Sequence, residues 1–228
     1  MFFGLNNGIG VSFWFAFVLG YLISLVFAFV MHEYAHASVA VREGDLTPKM
    51  MGRLTINPIR HIDPFGLIML LVLGFGYARP VPVCPQNFRR GRLSDFLVAG
   101  AGVFTNLCIA VCLIFVKSIL IVFAPKVFES YNFFAVLLSV LLQYGIWINL
   151  SLAFFNLIPV APLDGFRLLA SILGARGQKF VDFMEKYQLV FMIVLIVVSM
   201  VGFNFIGYLA SLLDWGLETA FVKFFRLF

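Results

Sequence analysis

The chain has 228 residues, 62% of them hydrophobic and only 12% charged, with a mean hydropathy of +1.03. A soluble domain is about 45–50% apolar and about 25% charged, so lipid is the principal solvent and an ordinary soluble enzyme is excluded. The net charge of +5 does not mark a nucleic-acid binder, because the cations lie in loops between apolar runs, where they set topology.

The length suits a single integral-membrane domain over 1–228. No Lys or Arg precedes Arg42, so the basic start of a cleaved signal peptide is missing and the first apolar run is expected to be retained. That run, 11–42, has no proline. At about 1.5 Å per residue it is longer than the ~30 Å hydrocarbon core, so one end emerges from the bilayer. Residues 43–64 are polar and turn-rich and are expected as a short polar or β-like loop. The next apolar stretch, 65–78, is only 14 residues long and suits a re-entrant or buried segment better than a span. Residues 79–95, with Pro80, Pro82 and Pro85 among four arginines, form a second loop.

Long apolar runs follow at about 96–124, 132–160 and 187–213. The last two are separated by a stretch that opens on Pro159 and Pro162 and turns basic. Residues 214–228 are expected as a short amphipathic tail on the membrane interface. Cys108 and Cys112 stand one helical turn apart in an apolar run and are expected to be packing residues. The fold class is therefore an all-α polytopic membrane protein, with about four to six transmembrane helices and a re-entrant segment.

Charge assigns the orientation. Residues 42–95 carry eight Lys/Arg and 163–186 carry four, whereas 125–131 carries only Lys126. The positive-inside rule then makes 43–64 and 79–95 cytoplasmic loops and puts the N-terminus outside, in a multi-pass cell-membrane protein.

The chemistry is concentrated in His32-Glu33-Tyr34-Ala35-His36, at the end of the first run. On a helix, histidines four residues apart share a face and can bind one zinc ion. The glutamate beside the first histidine can act as general base for a water that zinc acidifies. From this chain's three His and five Glu, chance would supply the pattern roughly once per thousand such chains. Ionisable residues in a spanning helix are costly and usually functional.

A catalytic zinc needs a third protein ligand and an open position. His61, in a loop, and Asp164, where the run 132–160 breaks, are the candidates. Topology favours Asp164, because both runs reach the cytoplasmic side at that depth, and the prolines fit irregular backbone facing a wet cavity. Gly165 is expected to allow a tight turn beside it. His61 reads as a ligand, as a group supporting a ligand, or as a helix cap.

The pairing of His32-Glu33-Tyr34-Ala35-His36 with Asn156-Leu157-Ile158-Pro159-Val160-Ala161-Pro162-Leu163-Asp164-Gly165 resembles the site-2 protease family of membrane-embedded zinc proteases. The stretch from Asn57 to Gly66 resembles compact bacterial members, and no PDZ or CBS module lies within these residues. The resemblance implies that His32, His36 and Asp164 bind Zn2+, that Glu33 is the catalytic base, and that Asn156 positions substrate or stabilises the oxyanion. Asn156 also reads as a cap before Pro159. Gly102-Val103-Phe104-Thr105-Asn106 lacks the proline of the family's GPxxN stretch, so a role for Asn106 carries over only weakly.

The function expected is hydrolysis of a peptide bond in or near a transmembrane segment. The expected partners are a single-span membrane-protein substrate and the lipid bilayer, with no nucleic acid. The sequence leaves room for a homo-oligomer or a regulatory membrane partner. The alternative class is a zinc-binding membrane protein that transports or senses metal without hydrolysis.

Overall fold

The computed structural model describes residues 10–61, 63, 79–130, 132–200 and 205–227. The expected re-entrant segment 65–78 lies outside the described residues.

The described residues are helical with no strand among them, as the hydropathy pattern requires. A chain in lipid must satisfy its backbone polar groups internally, and helices do so within one segment. α1 (Val11–Arg42), α3 (Arg92–Phe123), α5 (Phe133–Asn156) and α9 (Phe205–Phe225) are long and apolar enough to cross a membrane. Short helices α2 (Thr47–Met50) and α4 (Lys126–Glu129) lie in the connections. α6 (Asp164–Leu173), α7 (Gln178–Lys186) and α8 (Gln188–Met200) follow α5. The protein is a multi-pass membrane protein.

α1, α3 and α5 pack against one another, α9 packs on α3 and α5, and α6 packs on α3. Ala110 and Ile114 of α3, Ile146 and Leu150 of α5 and Ala210 of α9 form one fully buried cluster, in which the two alanines permit close approach. Large apolar side chains such as Phe15, Phe27, Phe104, Phe134 and Trp215 point outward, as a lipid-facing surface requires.

Three expectations are corrected. The expected interfacial tail is not separate, since residues 214–225 continue α9. Its polar residues face the bundle: Lys117 of α3 pairs with Glu218, and Gln143 of α5 donates to Asp214 at 3.2 Å. Second, of the two readings of the loop after α1, polar or β-like, the β-like one falls: its described residues hold α2 and a 3-10 turn at Pro58–Arg60 and no strand. Third, Cys108 and Cys112 are exposed on α3 instead of packed inside.

The end of α1 is clamped to the second loop. Asp45 accepts from the Thr47 hydroxyl at 2.5 Å, the Asn87 amide at 2.9 Å and the Cys84 N–H at 2.7 Å. Glu43 accepts from Ser94 Oγ at 2.6 Å and from Arg90 Nε at 3.0 Å. Hydrogen bonds from Arg90 and then Ser94 hold the Glu43 carboxyl below its ordinary value of 4.5. A carboxylate with a lowered folded pKa stabilises the fold above its unfolded pKa, and that contribution is lost as pH falls through the folded value. Metal-free Glu43→Gln is therefore expected to melt below the metal-free native protein at pH 7. The gap should close as pH drops below about 4.5. Paired melts in detergent check this; a gap that stays constant with pH contradicts it.

Candidate metal centre

His32 and His36 lie one turn apart on the inner face of α1, both buried. Asp164 is the first residue of α6, where the exposed N–H dipoles of a helix start favour a carboxylate. α6 is held to α3 by Arg167, which donates to Asp95 at 2.8 Å.

The three side chains converge on one point. His32 Nε2 and His36 Nε2 are 3.1 Å apart, and each lies 3.1 Å from Asp164 Oδ2. Among the described residues, this is the one group of three potential metal ligands with converging donor atoms. Zinc–nitrogen and zinc–oxygen bonds of about 2.0–2.2 Å in a tetrahedral site place donor atoms about 3.3 Å apart. The observed triangle matches that spacing.

The far sides of both rings fix which nitrogen faces inward. His36 Nδ1 is 2.7 Å from the Val98 carbonyl oxygen, which can only accept, so this nitrogen carries the proton and Nε2 turns a lone pair inward. His32 Nδ1 is 3.1 Å from Asn106 Oδ1, with the same consequence. Two lone pairs and a carboxylate oxygen facing one another repel unless a cation lies among them. α3 also leaves space for that cation. A Cβ on Gly102 would fall 2.5 Å from His36 Nε2 and 2.6 Å from His32 Nε2. The residues present fit a zinc ion.

Glu33 is half-buried, and its Oε2 accepts the Val81 N–H at 3.1 Å. Pro80 and Pro82 flank Val81, so within Pro80–Pro82 only this residue offers an amide N–H. Asn156 ends α5, and its amide donates to Leu152 O of its own helix at 2.9 Å. His61 is not in the converging group. It caps the 3-10 turn at Pro58–Arg60, and its Nε2 donates to Thr55 O at 2.7 Å.

Gly165 stands beside Asp164 for a reason other than a turn. It is the second residue of α6, and a Cβ there would fall 2.3 Å from Leu157 O and 2.7 Å from Ile158 O. Close backbone approach fixes this glycine. Sequence reasoning missed the contacts that the Val98 carbonyl makes with His36 and the Val81 N–H makes with Glu33. Backbone groups leave no mark in a sequence.

A helix-borne histidine pair converging on a carboxylate oxygen, with a glutamate beside the first histidine, is a donor set that could hold zinc. The chain belongs to peptidase family M50, the site-2 protease family, whose model matches residues 20–200. It is 39% identical over 176 residues to YwhC of Bacillus subtilis, named as a zinc metalloprotease, covering 77% of this chain and 79% of that one. It is 29% identical over 205 residues to Rip2 of Mycobacterium tuberculosis, likewise named, covering 86% of this chain and 72% of that one. No solved structure matches the chain. The chain is a metalloprotease of this family, and its cofactor is zinc.

Proposed function

We propose that the protein hydrolyses a peptide bond within or beside the transmembrane segment of a single-span membrane protein, near the cytoplasmic face. The observation that carries this reading is the triangle of donor atoms from His32, His36 and Asp164, with α1 both supplying the histidines and being long and apolar enough to span. The positive-inside rule supports a cytoplasmic depth for the site and an N-terminus outside.

His32, His36 and Asp164 would hold zinc, with Glu33 next to His32 on α1. Bound zinc supplies Lewis acidity, acidifying water and polarising the scissile carbonyl. Glu33 takes the proton from the attacking water and later delivers it to the leaving amine, the role of a general base and then acid. Asn156 would present its amide to the developing oxyanion, which requires it to turn from Leu152 O.

A substrate helix must unwind first, because its peptide bonds are shielded and internally paired. An unwound stretch needs partners for its backbone, which an extended edge of the enzyme supplies. Residues 79–84, which lie outside any helix and whose Val81 N–H reaches Glu33, would serve as that edge.

The ligand set is tested by zinc content. Asp164→Asn exchanges a charged ligand for a neutral one and is expected to lower bound zinc at least about tenfold, whereas His61→Ala retains it. Metal analysis of the purified variants decides the matter; zinc lost from His61→Ala and kept by Asp164→Asn would move the site.

A further inference from the structure

Behind His32 runs a hydrogen-bonded chain that crosses two helices. Asn106 of α3 lies with Oδ1 3.1 Å from His32 Nδ1, and its Nδ2 donates to Asn149 Oδ1 of α5 at 3.0 Å. Asn149 Nδ2 in turn donates to the Gly145 carbonyl, one turn back on α5, at 2.7 Å. Asn106 is 0% exposed and Asn149 is 1% exposed, so neither amide can exchange its partners for water.

The polarity of this chain is fixed at its far end. The Gly145 carbonyl can only accept, so Asn149 must turn its NH2 group toward it and its oxygen toward Asn106. Asn106 must then donate to Asn149, which turns its own oxygen toward His32. His32 can answer an oxygen only by carrying its proton on Nδ1. The lone pair on Nε2 is thereby left for the metal.

We infer that Asn149 is a positioning residue for the metal centre: acting through Asn106, it sets the tautomer and ring orientation of His32. This rests on the reading of His32 as a zinc ligand. The physical precedent is general, since partners of a ligating histidine fix its tautomer and raise its basicity, and their loss costs about 10–100-fold in metal affinity or activity. A purely structural alternative treats Asn149 as a polar clasp between α3 and α5 whose loss only loosens the bundle.

The two accounts differ in coupling. Zinc affinity is measured by chelator competition on the full chain in detergent, for Asn149→Ala, Asn106→Ala, the double variant and Asn149→Asp, with melts of the metal-free forms alongside. Asn149→Ala is expected to weaken zinc binding about tenfold and Asn106→Ala about 10–100-fold. The double variant should bind like Asn106→Ala alone, because Asn149 has no other route to the metal. Asn149→Asp keeps an oxygen facing Asn106 and should hold zinc within about threefold of the native protein, even if its melting point falls. Unchanged affinity in Asn149→Ala, effects that multiply in the double variant, or an Asp variant as weak as the Ala variant would each overturn the inference. A native protein that binds no zinc would instead overturn the reading of the centre.

Discussion

Glu33→Gln is expected to keep its zinc and to lose peptide-bond hydrolysis by about 10²–10⁴-fold, the usual contribution of a positioned general acid–base. The substitution is nearly isosteric. Its carbonyl oxygen can still accept the Val81 N–H that Glu33 Oε2 accepts at 3.1 Å. The converging donors belong to His32, His36 and Asp164, so nothing that holds the metal is removed. What disappears is a group that can take a proton from water and return it to the amine. Metal analysis beside a cleavage assay with a single-span reporter checks both halves. Retained activity would sink the mechanism, and lost zinc would mean that Glu33 is a ligand.

Gly102→Ala is expected to separate metal from fold in the opposite manner. Its methyl carbon would sit 2.5 Å from His36 Nε2 and 2.6 Å from His32 Nε2, where the two lone pairs converge. Forcing an extra methyl into a packed site costs about 1–3 kcal/mol, which as lost affinity is about 5–150-fold. Helix propensity acts the other way, since alanine is favoured over glycine in a helix by about 0.5–1 kcal/mol. The rings meet the same methyl without metal, so the metal-free variant should melt modestly below the metal-free native protein while its zinc retention falls steeply. Gly100→Ala is the internal control. A Cβ there meets only Leu168 Cδ2, at an ordinary 3.5 Å, so zinc should remain. Equal zinc retention in both variants would show that Gly102 does not border the metal.

The reach of sequence reasoning follows from what spacing and hydropathy encode. His32 and His36 were legible because four residues bring two side chains to one helical face. Asp164 was legible because the prolines before it mark where a spanning run must break. The start of α6 at Asp164 was not foreseen, since PVAPLDGFRLLASIL carries its apolar periodicity over too few turns to stand out from a polar loop. The end of the chain misled for a related reason. Asp214 and Glu218 read as a polar tail in isolation, yet they face Gln143 and Lys117 across the bundle. Gly165 was assigned correctly as a requirement but for the wrong cause, because close approach to Leu157 and Ile158 is a tertiary fact. Asn106 and Asn149 stand 43 residues apart, and only folding shows that they form one chain to His32.

The central claim is that this centre cuts within or beside a membrane span. It is tested most directly by mass spectrometry of the new ends made when the purified protein acts on a single-span reporter in liposomes. The account predicts one zinc-dependent cut inside the reporter's hydrophobic segment or at its cytoplasmic edge. A cut confined to the reporter's soluble regions, or one that persists after zinc is stripped, would contradict it.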